Sequence, residues 1–319
     1  MNDRKGLNLG YFGFILLILI AFNGGAILTF FLRFNMLAER PYDPIRVKWT
    51  DESGDIYADQ MAADEGILYD LYVPKNIDTS KEHTFIMYIH GSNFSSGDKS
   101  DGALICKYFA SKGYVAASVN YSLITQDSGN TISASADELY RTAGSVVARC
   151  GELGIRFKNM AVSGVYGGGT MALLYAYKNP EKSPVPVKLV FEQTGPTSFN
   201  PDDWGYSGEE AVQLVNLMTN GSFTVDDIGS ESYIKAYKDI SPESYVNNNG
   251  VSAILAYGSR DKIIPISMPL KFSGALRQTG ADCTIIEYSK SGHTMALDSD
   301  KNKEYYDTVD RYLEKIVVE

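Results

Sequence analysis

The chain has 319 residues and carries 29 lysines and arginines against 39 aspartates and glutamates, a formal net charge of −10. That length suits one large α/β domain with a sizeable core, and a negative chain with no block of basic residues argues against a nucleic-acid partner. Three scattered cysteines (Cys106, Cys150 and Cys283) form neither a disulfide framework nor a Cys-x-x-Cys metal site and read as buried hydrophobes; no metal or organic cofactor is implied.

The chain opens on an apolar run. No charge lies between Lys5 and Arg33, and residues 9–32, "LGYFGFILLILIAFNGGAILTFFL", are long enough to span a bilayer. The competing reading is a cleaved signal peptide ending near Gly24 and Ala26. The stretch "ILTFFL" stays apolar beyond that point, and the anchor is preferred. Residues 1–34 are therefore the expected anchor, 35–45 a tether stiffened by Pro41 and Pro44, and 46–319 the main domain. Arg4 and Lys5 before the span nearly balance Arg33 and Arg40 after it, so charge orients it poorly. A short leading tail favours a single-pass protein of the cell membrane with an extracytoplasmic domain.

Further along, "IRVKWTD" and "GILYDLYVP" read as early strands. Strands and helices then alternate: strand "HTFIMYIH", helix "ALICKYFASKG", strand "YVAASVNY", helix 134–152, strand "NMAVSGV" and helix 168–178. The strands "VKLVFEQ" and "SAILAYG" follow, then a helix over 267–279, strand "CTIIEYS" and a last helix over 302–318. This alternation predicts a mainly parallel, doubly wound sheet. In the 134–152 helix, Ala136, Leu139, Tyr140, Ala143 and Val146 form one apolar face, and Ser135 with Glu138 fits a capping box at its start. Residues 195–250 are too long for a plain loop and contain two helical patterns, "GEEAVQLVNLM" and "SESYIKAYKD". They read as a small helical cap over the carboxyl ends of the strands, where open α/β sheets bind ligands.

Four segments follow predicted strands and carry reactive or loop-forming residues. "YIHGSNF" holds His90, Gly91 and Ser92; "VSGVYGG" holds Tyr166 in a glycine-rich strand-to-helix turn. "YGSRDKIIP" holds Asp261, and "SKSGHT" holds His293. Acyl transfer needs an attacker, a base, an acid that orients the base, and backbone donors for the oxyanion. An order of nucleophile, Asp, His is that of the α/β-hydrolase fold.

On these motifs, residues 65–318 resemble the bacterial esterase and lipase branch of the α/β-hydrolases that carries a His-Gly-Gly oxyanion motif. The resemblance implies that Asp261, in Gly-x-x-Asp-x-x-x-Pro, is the acid and that His293, in Ser-Gly-His, is the base. It also implies that amides of Gly91, Ser92 and Gly167 form the oxyanion hole and that His90 braces it. Asn120 and Tyr121 are expected to pack beneath the site. The chain departs from the family at two places. Tyr166 stands where the nucleophilic serine belongs, and Ser92 where glycine is favoured. A phenol on a rigid ring overshoots the attacking position, and errors of about 1 Å cost roughly 100-fold. Among other hydroxyls, Ser163 should point into the core and Thr170 away from the pocket, while Ser92 is a less favoured attacker.

The expectation is a membrane-anchored relative of carboxylic-ester hydrolases, with turnover impaired at Tyr166 and a small-molecule ester or related ligand. The alternatives are a non-catalytic pseudo-hydrolase that binds a ligand or partner in its capped pocket and, last, a serine-peptidase-like hydrolase.

Overall fold

The computed structural model describes residues 47–64, 66–125 and 127–318. The anchor expected over 9–32 lies outside them; among the described residues no helix is long and apolar enough to cross a membrane.

Eight strands form one sheet: β1 (Gly54–Met61), β2 (Leu68–Pro74), β3 (Glu82–Ile89), β4 (Val115–Val119), β5 (Arg156–Val165), β6 (Val187–Gln193), β7 (Ser252–Gly258) and β8 (Cys283–Tyr288). Their order is β1-β2-β4-β3-β5-β6-β7-β8. β2 runs antiparallel to both neighbours, and the strands from β4 to β8 are mutually parallel. The five strands β3 to β7 are apolar almost throughout, as strands covered on both faces must be.

The long helices are α1 (Ala103–Ser111), α2 (Ile132–Glu152), α3 (Gly167–Tyr177), α7 (Ser267–Gln278) and α8 (Ser299–Val318). α2, α3 and α7 pack on one face of the sheet, around Leu139, Leu173 and Phe272. α1 and α8 cover the other, around Phe109, Tyr305 and Leu313. All three cysteines are free and buried, as read from the sequence. Between β6 and β7 the chain makes α4 (Pro201–Trp204), α5 (Gly208–Thr219) and α6 (Glu231–Asp239). α5 and α6 share a satellite core of Val212, Val215 and Tyr233.

Two local expectations are corrected. The described part of "IRVKWTD" is not a strand; the first strand is "GDIYADQM" at 54–61, an edge strand whose exposed side chains hide its periodicity. α2 begins at Ile132, capped by the Thr131 hydroxyl, which accepts the Ala134 N–H at 3.0 Å. Ser135 and Glu138 lie inside the helix and bind the β4–α2 loop: the Ser135 hydroxyl donates to Ser122 O (2.7 Å), and Glu138 accepts the Ser122 N–H (2.6 Å).

Candidate active site

The turn from β5 into α3 sits at the carboxyl end of the sheet's centre. Tyr166 occupies it with φ 55° and ψ −124°, a backbone conformation that costs a non-glycine residue on the order of 1–3 kcal/mol. Packing fixes the turn. The Tyr166 N–H donates to Gln193 O at 2.9 Å, and Tyr166 O accepts from Gly169 N at 2.9 Å. A Cβ on Gly164 would lie 2.2 Å from Gly168 O, and one on Gly168 would lie 2.3 Å from Ile89 O, so neither position tolerates a side chain.

Asp261 and His293 arrive from the loops after β7 and β8. The Asp261 carboxylate is fully buried at its side chain and lies 2.8 Å from His293 Nδ1. Its other oxygen accepts the Ile263 and Ile264 N–H groups at 2.7 and 3.0 Å. A carboxylate only accepts, so His293 Nδ1 carries the proton and Nε2 is left with the lone pair in the neutral ring. The histidine loop is braced from behind: Ser291 Oγ donates to Asp298 Oδ2 at 2.5 Å, and the Arg260 N–H donates to Ser291 O at 3.0 Å.

Tyr166 and His293 meet, but as stacked rings. Their centroids are 4.5 Å apart and their planes 24° apart. The phenol is therefore face-on to the imidazole. The ring also abuts the oxyanion loop, where a Cβ on Gly91 would stand 2.9 Å from it. Burial, and then the Asp261 charge, raise the Tyr166 pKa above its ordinary value.

Of the three expected oxyanion residues, Gly91, Ser92 and Gly167 all line the same cavity. The Gly167 N–H is already engaged, donating to Ser92 O at 2.8 Å. Ser92 itself has φ 112°. His90 is buried, its Nδ1 is 3.0 Å from Gly91 O, and its ring stacks on Tyr121 with centroids 4.6 Å apart. Burial lowers its pKa, which favours the neutral ring. Asn120 Oδ1 accepts the Lys99 N–H (2.6 Å) and its amide donates to Asp98 (3.1 Å), holding the far end of the same loop. Ser163 is buried within β5, and the Thr170 hydroxyl donates to Pro196 O at 2.7 Å.

The cavity above these groups measures 720 Å³. Phe94, Ile263 and Ile264 line it from the core domain, and Trp204, Leu214 and Met218 from the cap. The cap thus forms part of the pocket wall. Among the described residues that line it there is no lysine or arginine. Two residues beside the site were not singled out from the sequence. Phe94 lies in the oxyanion loop, and its ring would be 3.0 Å from a Cβ on Gly167. Glu192, the second-last residue of β6, has no exposure; its Oε2 accepts the Gly195 N–H at 2.8 Å, and burial pushes its pKa up to about 8. Its only sequence signal is a carboxylate inside the apolar strand "VKLVFEQ".

A parallel sheet with one antiparallel strand near its edge, an elbow on the central strand and an Asp–His pair on the two following loops define an α/β-hydrolase. The BD-FAE family model matches residues 69–276, and the chain belongs to that family. His293 lies beyond the matched segment. No curated protein matches the sequence. Among solved structures, the native thermophilic esterase Est2 of the planctomycete Thermogutta terrifontis is 15% identical, covering 83% of this chain and 92% of its own, with a TM-score of 0.66. The propionate-bound form of that esterase has 16% identity, coverages of 83% and 94%, and a TM-score of 0.65. The esterase phosphonylated by sarin has 16% identity, coverages of 85% and 98%, and a TM-score of 0.65. At such identities the likeness speaks for the fold.

Proposed function

We propose that this esterase-family protein is held at a membrane by residues 9–32, keeps a capped pocket for a neutral, apolar small-molecule ester or related ligand, and is impaired in hydrolysis by Tyr166. The observation that carries this reading is the face-to-face stack of Tyr166 on His293. In the full mechanism His293 Nε2 takes a proton from the attacking hydroxyl, Asp261 fixes the imidazole, and amides of Gly91, Ser92 and Gly167 receive the oxyanion. The lone pair of Nε2 lies in the imidazole plane, whereas a stacked phenol presents its π face to that ring. Its O–H does not point along the lone pair while the rings stay parallel. A phenol normally ionises near pH about 10, and burial beside Asp261 moves this one further from ionisation. The base is poised, and the attacker is turned away from it.

A second reading, binding without any turnover, is favoured by the pocket wall. Phe94, Trp204, Leu214 and Met218 offer apolar surface, and among the described lining residues no lysine or arginine is present to pair with a carboxylate or phosphate ligand.

The test is hydrolysis of short-chain aryl esters by the whole chain in detergent, together with labelling by a fluorophosphonate. Native protein should stay at the background rate and take no label. Native turnover that vanishes in His293→Ala would refute the impairment. Absence of turnover combined with saturable binding of a neutral aryl ester, weakened by Trp204→Ala, fits the binding reading.

A further inference from the structure

We infer that Ser92 is a second block on hydrolysis, because its carbonyl fills the position where Gly167 would receive an oxyanion. This rests on the reading of Gly167 as an oxyanion donor given above. An oxyanion hole works only if its N–H groups are free to point at the developing charge. Gly167 is the first residue of α3, and its N–H has no partner within the helix. An open hole would leave that group for a ligand. Here it donates to Ser92 O at 2.8 Å.

The plug is built in. Ser92 (φ 112°) and Phe94 (φ 70°) are both non-glycine residues in the left-handed half of backbone space, so the loop is held there against its local preference. A web of hydroxyls holds it: Ser96 Oγ donates to Ser92 Oγ (2.9 Å), and Ser95 Oγ donates to Asn93 Oδ1 (2.7 Å). Phe94 O accepts the Ile124 N–H at 2.9 Å, and the buried Phe94 ring packs on Phe199 with centroids 6.0 Å apart. Tyr166 and Ser92 therefore disable different parts of the machinery. Tyr166 withholds the attacker from the base, and Ser92 withholds a donor from the oxyanion. Tyr166→Ser supplies an attacker and leaves the hole filled. Clearing the hole requires the 92–93 peptide to turn over, which changes ψ of residue 92 and φ of residue 93. Glycine at both positions makes that rotation accessible and removes the hydroxyl web at its centre.

The experiment compares fluorophosphonate labelling rates of Tyr166→Ser and of the triple variant Tyr166→Ser, Ser92→Gly, Asn93→Gly, each as the whole chain in detergent. One oxyanion donor is worth on the order of 100-fold in rate, and the triple variant should label faster by about that factor. Equal rates in the two variants would overturn the inference. A second measurement does not depend on reactivity. Hydrogen exchange at the Gly167 amide should be about tenfold slower in the native chain than in Ser92→Gly, Asn93→Gly; equal exchange would overturn the inference as well. Hydrolysis by the native chain would instead refute the preceding reading of Tyr166, and it leaves the comparison between the two serine variants standing.

Discussion

Glu192 shows how a single residue can leave its mark on the whole protein's pH behaviour. Its carboxyl is fully buried beneath the elbow, where a Cβ on Gly169 would lie 2.7 Å from its Oε2. Desolvation raises its pKa to about 8, against an ordinary value of 4.5. Between those values the folded protein keeps a proton that the unfolded chain has released. The stability that Glu192 contributes is therefore fully present below pH about 4.5 and is lost as pH rises toward about 8, at up to ~1.4 kcal/mol per pH unit for one proton. Glu192→Gln should remove this slope, and chemical denaturation between pH 5 and 8 reads it directly. A native chain as steep as the variant would rule out a proton held at Glu192. The site residues differ in how far the sequence exposes them. Asp261 and His293 stand out because each follows an apolar strand in a short motif and the two come in the required order. In the structure His293 Nδ1 lies 2.8 Å from Asp261 Oδ2. The Ser92 carbonyl gives no such signal, since which way a peptide unit faces is set by packing around it and not by residue type. Glu192 was visible as a charge within a strand, but its burial depends on α3 and the 194–197 loop closing over it.

The elements themselves were legible wherever burial dictates composition. β3, β4, β5, β6 and β7 are apolar runs, and each lies where the sequence places it. β1 has a polar outer edge with Asp55 and Asp59, so burial imposes little pattern on it, and "IRVKWTD", with its β-branched residues, carries the stronger strand pattern. The sequence starts α2 two residues late, because Ser135 and Glu138 imitate a capping box while bonding to Ser122. Glycines test this element by element. Gly144 lies within α2, and a Cβ there meets nothing within 4 Å. Gly144→Ala should stabilise the helix by about 0.5–1 kcal/mol, because alanine loses less backbone freedom on folding. Gly168 in α3 is the opposite case: its Cβ would press on Ile89 O and His90 O, both backbone atoms of the strand and loop behind the elbow. Gly168→Ala should cost more than about 2 kcal/mol. Thermal unfolding of both variants beside the parent decides it, and a neutral Gly168→Ala would mean that the elbow can relax.

For the whole molecule, the arrangement of the sheet separates two ends. The pocket lies at the carboxyl edge of β3 and β5 to β8, whereas the described chain enters on the face covered by α1 and α8. There Val47 and Trp49 pack against the core, and the Trp49 ring meets Tyr72 at 6.4 Å. β1 then starts beside Pro74, at the edge away from the pocket. The chain between residue 32 and Val47 spans at most about 50 Å when fully extended, enough to let a domain of this size stand in more than one attitude to a bilayer. Among the described residues, 47–318 assemble two extensive core clusters. A chain starting at residue 47 should therefore be soluble and unfold cooperatively, while the full chain expressed in bacterial cells should stay with membranes through alkaline carbonate washing. Release of the full chain by carbonate, or an amino terminus found just after Ala26, would favour a cleaved leader over the anchor. With the anchor retained, protease added to spheroplasts should digest the domain if it lies outside the cytoplasm; protection until the membrane is broken would reverse the orientation.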